Sequence, residues 1–113
     1  MSTNRMRRVN EAVREVLSDA IKLLKDPRVG FVTVTDVRTS PDLRQAKVFV
    51  SVLGTEEERS ATLDGLSSAH GVLQSIVNRE LRMKRTPTLD FVHDDTAERA
   101  DRLERMLAEQ ERD

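Results

Sequence analysis

The stretch from Leu63 to Arg85, LDGLSSAHGVLQSIVNRELRMKR, constrains the fold more than any other part of the chain. Leu63, Leu66, Leu73, Ile76, Val77 and Leu81 recur at spacings of three, four or seven, which draws one apolar face along an α-helix. Ser67, Ser68, His70 and Gly71 interrupt that face with poor helix formers, and an interior glycine costs about 1 kcal/mol relative to alanine. A straight helix would push His70 toward the core. A bend at Gly71 would let Ala69 face inward and turn His70 outward. Past the bend stand Arg79, Arg82, Lys84 and Arg85, opposed only by Glu80. The stretch therefore reads as an interrupted helix with a basic second half. The plainer reading is a continuous buried helix with a tolerated glycine. The two readings give opposite signs for Gly71→Ala: strained backbone at the bend would make it destabilising by about 1–3 kcal/mol, whereas a continuous helix would gain up to about 1 kcal/mol. On the bent reading, Gly71→Ala is expected to lower stability and to weaken partner binding.

The rest of the chain organises around this element. Ser2, Thr3 and Asn4 are candidate N-caps. Met6, Val9, Val13, Val16, Leu17, Ala20, Ile21 and Leu24 then form an apolar stripe that predicts a helix from about Arg5 to Lys25. Asp26-Pro27 stops it, because a residue before proline avoids the α region. Arg7 and Arg8 sit near the helix start, where the dipole disfavours cations, so local stability does not explain them.

Val29–Thr39 is rich in Val, Thr and Phe and predicts a strand, with a bulge near Asp36 that brings Val34 and Val37 to one side. Ser40-Pro41-Asp42 is a turn. Gln45–Leu53 alternates cleanly, with Ala46, Val48, Val50 and Val52 on one face, and should pair with the first strand as an antiparallel hairpin. Gly54 ends it, and Thr55 with Glu56, Glu57 and Glu58 is a strong helix start. Arg85-Thr86-Pro87 breaks the interrupted helix, and Thr88–His93 predicts a third strand. Asp95-x-x-Glu98 resembles a capping box. Glu98 with Arg102, and Asp101 with Arg105, are spaced as supporting pairs on a final helix. Residues 1–95 read as one domain. Residues 96–113 read as an acidic, helical or flexible tail that folding does not require.

With 113 residues the chain suffices for one domain. It has no cysteine, which excludes a disulfide scaffold, a thiol nucleophile and thiolate metal sites and fits a reducing compartment. No secretory leader is expected, since residues 1–25 are charged throughout, and no stretch approaches a membrane span of about 20 apolar residues. The net charge is −1, yet it is segregated: residues 1–54 and 76–91 together carry +6. Such segregation is an electrostatic footprint for an anionic partner.

Catalytic constellations are sparse. His93-Asp94-Asp95 is the one cluster of metal-ligating types, and three consecutive residues rarely converge on one ion, so neither metal nor cofactor is expected. His70 has no sequence-local partner for base catalysis, and no phosphate-cradling loop is present. An enzyme is not expected.

The order helix, strand, strand, broken helix, strand matches an α+β, type II KH-like domain: a three-stranded sheet with helices on one face. Arg7-Arg8-Val9, Lys25-Asp26-Pro27-Arg28, Thr33-Val34-Thr35, Ser40-Pro41-Asp42-Leu43, Ala46-Lys47-Val48, Ala69-His70-Gly71 and Arg85-Thr86-Pro87-Thr88-Leu89-Asp90-Phe91 occur in one order over nearly the whole predicted domain. In these pieces the chain resembles the ribosome-binding factor A family of bacterial small-subunit assembly factors. The resemblance implies a cytoplasmic, non-catalytic RNA-binding protein, monomeric when free. It would join immature small ribosomal subunits and aid maturation of their ribosomal RNA, notably in the cold. In that family an Ala-x-Gly kink stands in place of the GxxG loop of other KH domains, and Ala69-His70-Gly71 fits it. Without that clamp, recognition is expected to rest on shape and phosphate contacts. Arg7, Arg8, Arg28, Lys47, Arg79, Arg82, Lys84 and Arg85 are the candidate RNA contacts, because they are dense in segments lacking compensating acid. The competing reading is a KH-like protein-interaction module without direct RNA contact. Phosphate suits the segregated basic charge better.

Overall fold

A computed structural model describes residues 3–111. Its elements run α1 (Thr3–Lys22), β1 (Phe31–Thr39), β2 (Gln45–Leu53), α2 (Glu56–Ser68), α3 (His70–Leu81), β3 (Thr88–His93) and α4 (Thr96–Glu111). Ser2, one of the candidate caps of α1, lies outside the described residues. The α1 stripe buries Val9, Val13, Leu17, Ala20 and Ile21. The helix closes three residues earlier than the sequence suggests, where Leu23 and Leu24 donate to the carbonyls of Ala20 and Ile21 in a tighter turn.

The sheet order is β1-β2-β3. β1 and β2 pair antiparallel from Phe31 opposite Leu53 to Thr39 opposite Ala46, with a register shift between Val34 and Asp36. That is the bulge the alternation requires, and it puts both Val34 and Val37 in the core. β3 lies parallel to β2 on its other side, a pairing that needs a crossover connection, which helices α2 and α3 supply. Ala46, Val48, Val50 and Val52 of β2 are buried under the helices, while Gln45, Lys47 and Leu53 stand exposed on the opposite, open face. Leu66 of α2, Leu73 and Val77 of α3, and Leu89 of β3 complete one continuous core.

Thr55 caps α2 with a full capping box: its hydroxyl accepts from the Glu58 N–H at 3.1 Å, and the Glu58 carboxylate accepts from the Thr55 N–H at 3.0 Å. The interruption between α2 and α3 is a single residue. Ala69 adopts φ −87° and ψ 4°, a bridge-region geometry that departs from a helix mainly in ψ. Its N–H still donates to Gly65 and its carbonyl still accepts from Leu73, so the axis bends with little hydrogen-bond loss.

Two expectations about the bend are corrected. Gly71 is exposed, does not take a left-handed φ, and has nothing within 4 Å of an added Cβ; the bend belongs to Ala69. His70 does not turn outward. It is half-buried, with its Nε2 2.7 Å from the Leu89 carbonyl and its ring edge-on to Phe91 at 6.2 Å. Since a carbonyl can only accept, Nε2 carries the proton.

α4 buries none of its residues, and Leu103, Met106 and Leu107 are each more than half exposed. The Asp95-x-x-Glu98 box does not form. Asp94 instead accepts from the Thr96 N–H at 3.0 Å, and Glu98 turns inward to Arg59 of α2 at 3.3 Å and His93 at 3.5 Å. The expected Glu98–Arg102 pair is thereby lost, while Asp101 and Arg105 do pair, at 2.9 Å. We propose residue 95 as the domain boundary, and the exposure of α4 supports it.

Asp94 ties three elements together, because its carboxylate also accepts from the Thr35 hydroxyl at 2.7 Å. The hydroxyls of Thr96 and Thr35 and the Thr96 N–H hold its pKa down to about 2. A folded pKa below the unfolded value of 3.8 stabilises the fold above that pH, and the contribution drains away as pH falls to about 2. Asp94→Asn should therefore lower the thermal midpoint at neutral pH and flatten its fall between those two values. Midpoints followed by circular dichroism across that range check this. A variant with an unchanged acid limb would assign the limb to Asp26, Asp42 and Glu58, whose pKa values are also lowered.

Candidate nucleic-acid interface

The α3–β3 connection carries the basic residues of the central stretch, and side chains of α3 hold it in place. Gln74 donates to the Pro87 carbonyl at 2.9 Å and accepts from the Leu89 N–H at 2.9 Å, which also satisfies the outer edge of β3. Asn78 accepts from Gln74 at 3.0 Å and from the Thr86 hydroxyl. Pro87 is fully buried. α3 ends at Arg82, whose φ of 50° and ψ of 33° place it in the left-handed region and reverse the chain. Arg82 thus has a backbone role that periodicity alone does not reveal.

This reversal delivers Met83, Lys84 and Arg85 beside the start of α1. One cleft of about 480 Å³ is lined by Arg5, Asp42, Leu43, Met83, Lys84 and Arg85. A second groove is lined by Arg5, Arg8, Val9, Ala12, Leu81 and Met83. Arg5 and Met83 belong to both. The fold thereby brings together Arg8, Lys84 and Arg85 of the sequence candidates and adds Arg5. All four cations are exposed, and none forms an ion pair among the described residues. Arg5 lies one helical turn before Arg8, and that spacing is the sequence signal that points to it.

The other candidates are not part of this cluster. Arg7 is exposed on α1 but lines neither groove. Arg79 pairs with Glu80 at 3.5 Å. Arg28 follows the far end of α1, about 30 Å from its start at 1.5 Å per residue. It is held by Asp26 at 2.6 Å, and the guanidinium in turn lowers the Asp26 pKa. Lys47 stands on the open sheet face, opposite Arg38 on one side and Asp90 on the other. Arg38 there is engaged by Asp36 at 2.9 Å and by the Phe49 ring. The carboxylates leave this face with little net charge, whereas the α1–Met83 end carries four unopposed cations and the single acid Asp42.

His93, Asp94 and Asp95 diverge toward Glu98, toward Thr35 and Thr96, and toward Arg99 respectively. Among the described residues no group of three or more potential ligands could hold a metal ion. No helix there is long and apolar enough to cross a membrane.

A family profile described as Ribosome-binding factor A matches residues 5–107. Ribosome-binding factor A from Halothermothrix orenii is 43% identical over 108 residues, covering 95% of this chain and 88% of that protein. The protein of the same name from Anaeromyxobacter sp. (strain K) is 50% identical over 108 residues, covering 94% and 78%. Among solved structures, the crystal structure of ribosome-binding factor A from Thermus thermophilus superposes with a TM-score of 0.70 at 31% identity, covering 78% of this chain and 93% of that one. A homology model of the Thermus thermophilus factor, as fitted into the cryo-EM map of a complex between 30S and the factor, superposes with a TM-score of 0.64 at 33% identity, covering 75% of this chain and 90% of that one.

Proposed function

The chain belongs to the ribosome-binding factor A family, and from that membership and its basic end we infer that it is an assembly factor of the small ribosomal subunit. It binds the immature subunit and aids maturation of the ribosomal RNA. One observation carries the RNA contact. Arg5 and Arg8 from one end of the domain sequence, and Lys84 and Arg85 from the other, meet at one surface without any carboxylate pairing them. Unopposed cations are costly to gather unless an anion joins them, and an RNA backbone supplies regularly spaced phosphates. The protein works in the cytoplasm and by binding, not by bond-making chemistry. His70, the nearest approach to a general base in the sequence, commits its Nε2 to the Leu89 carbonyl.

Co-sedimentation with small subunits across a salt series tests this reading. With about 0.7–0.9 of slope per phosphate contact, four cations should give a log affinity against log salt slope of about −2.8 to −3.6. Association that ignores salt would instead favour docking on a ribosomal protein.

A further inference from the structure

The cleft at the basic end is not built for a smooth duplex backbone alone. Its floor is apolar: Leu43 is buried, held by a turn residue geometry of φ 59°, and Met83 is half-buried beside it. Its rim is cationic, with Arg5 contributed by α1, and Lys84 and Arg85 by the α3–β3 connection. Stacked, paired nucleotides present sugars and phosphates to a protein surface and offer nothing to fill an apolar floor. An unpaired nucleotide offers an aromatic face, a hydrogen-bonding edge and a phosphate on either side. We propose that this cleft seats a single unpaired base of the bound RNA, with its face on Met83 and Leu43 and its flanking phosphates on Arg5, Lys84 and Arg85. The proposal rests on the RNA-binding reading and specifies what that same surface selects.

The chemistry of each wall fits. A thioether is polarisable and makes favourable contacts with aromatic rings, and unstacked bases are the usual targets of specific RNA recognition. Asp42 is the one acid on the rim. Its Oδ1 already accepts from the Ser40 hydroxyl at 2.6 Å and from the Arg44 N–H at 3.1 Å, which keeps its pKa low and its carboxylate ionised. Its Oδ2 meets only the Arg44 Nε, at 3.9 Å, so it retains acceptor capacity toward the cleft. An ionised carboxylate accepts from the exocyclic amino group of adenine, cytosine or guanine. It is repelled by the two carbonyls that flank the single N–H of uracil. The cleft should therefore prefer an amino-bearing base.

The test uses the full chain and two RNA hairpins, one fully paired and one identical but for a single bulged adenosine. The bulged hairpin should bind about ten-fold more tightly. With 2-aminopurine at the bulge, emission should rise on saturation, because the base leaves its stack for a cleft that holds no aromatic ring. A bulged uridine should lose most of the advantage. Met83→Gln should lower the ratio of bulged to paired affinity, and Asp42→Asn should lower the ratio of bulged adenosine to bulged uridine. Equal, salt-dependent affinity for the paired and bulged hairpins, or emission unchanged at saturation, would overturn the pocket and leave the RNA-binding reading standing. No binding to either hairpin or to small subunits would overturn both. The wild-type comparison needs no variant, so a misfolded substitution cannot rescue the proposal.

Discussion

Replacing Gly65 with alanine should destabilise the protein by roughly 1–2 kcal/mol, although alanine is the better helix former by up to about 1 kcal/mol. A Cβ at Gly65 would lie 2.7 Å from Cγ2 of Val29 and 3.5 Å from Cβ of Arg28. Val29 is β-branched and stiff, and the α1–β1 loop that carries it is tied in place. The Val29 N–H donates to the Asp26 carbonyl at 3.0 Å, and Arg28 is clamped by Asp26. Thr62, buried one turn before Gly65, ties the loop to α2: its hydroxyl accepts from the Gly30 N–H at 3.2 Å and shares its one proton between the Glu58 carbonyl at 2.8 Å and the Arg28 carbonyl at 3.2 Å. Gly71→Ala should do the reverse and stabilise by up to about 1 kcal/mol, because its Cβ enters open space on ordinary helical backbone. Chemical denaturation of both variants measures the two signs. A neutral Gly65→Ala would mean the loop yields despite its ties. A destabilising Gly71→Ala would restore the bend to Gly71.

These two glycines show where the sequence is legible and where it is not. Local pattern locates every element. The alternation in Gln45–Leu53 and the turn at Ser40-Pro41-Asp42 give the hairpin, and the misplaced Val37 gives the bulge. The interruption of the 63–85 stretch is also legible, since four weak helix formers sit together there. Which residue bends is not, because the break falls on Ala69, the one good helix former in the interruption; nor is the sign of a glycine substitution, because Gly65 and Gly71 look alike until the α1–β1 loop is seen lying on one of them. The same limit governs the site. Basic density marks the α1 start and the 82–85 segment, but their convergence depends on the reversal at Arg82 and on Gln74 and Asn78 holding Thr86 and Pro87. Arg28 and Glu98 escape a linear reading for one reason: a charged side chain chooses partners across space. Asp26 takes Arg28 away from the basic surface, and Arg59 takes Glu98 away from its helical neighbour. His70 follows the same logic, since the Leu89 carbonyl at the β3 edge is a partner no helical wheel displays.

Reversing two charges of the basic end, Arg8→Glu with Arg85→Glu, should weaken small-subunit binding by roughly 25- to 60-fold at 0.1 M salt and flatten the salt slope by about 1.4–1.8. These magnitudes follow from removing two cation–phosphate pairs, each worth about 0.7–0.9 of slope, and repulsion from the new carboxylates adds to them. Folding should survive, because both side chains are exposed and neither holds an ion pair among the described residues. The matched control is Lys22→Glu with Arg102→Glu, which changes the net charge equally at the far end of α1 and on α4. It should leave the slope nearly intact, since long-range attraction is screened beyond about 10 Å at this salt. Equal losses in the two double variants would show that net charge governs binding and that no particular surface does. An unchanged slope in Arg8→Glu with Arg85→Glu would remove the basic end from the interface. The remaining sequence candidates, Lys47 on the open sheet face among them, would then become the surface to test.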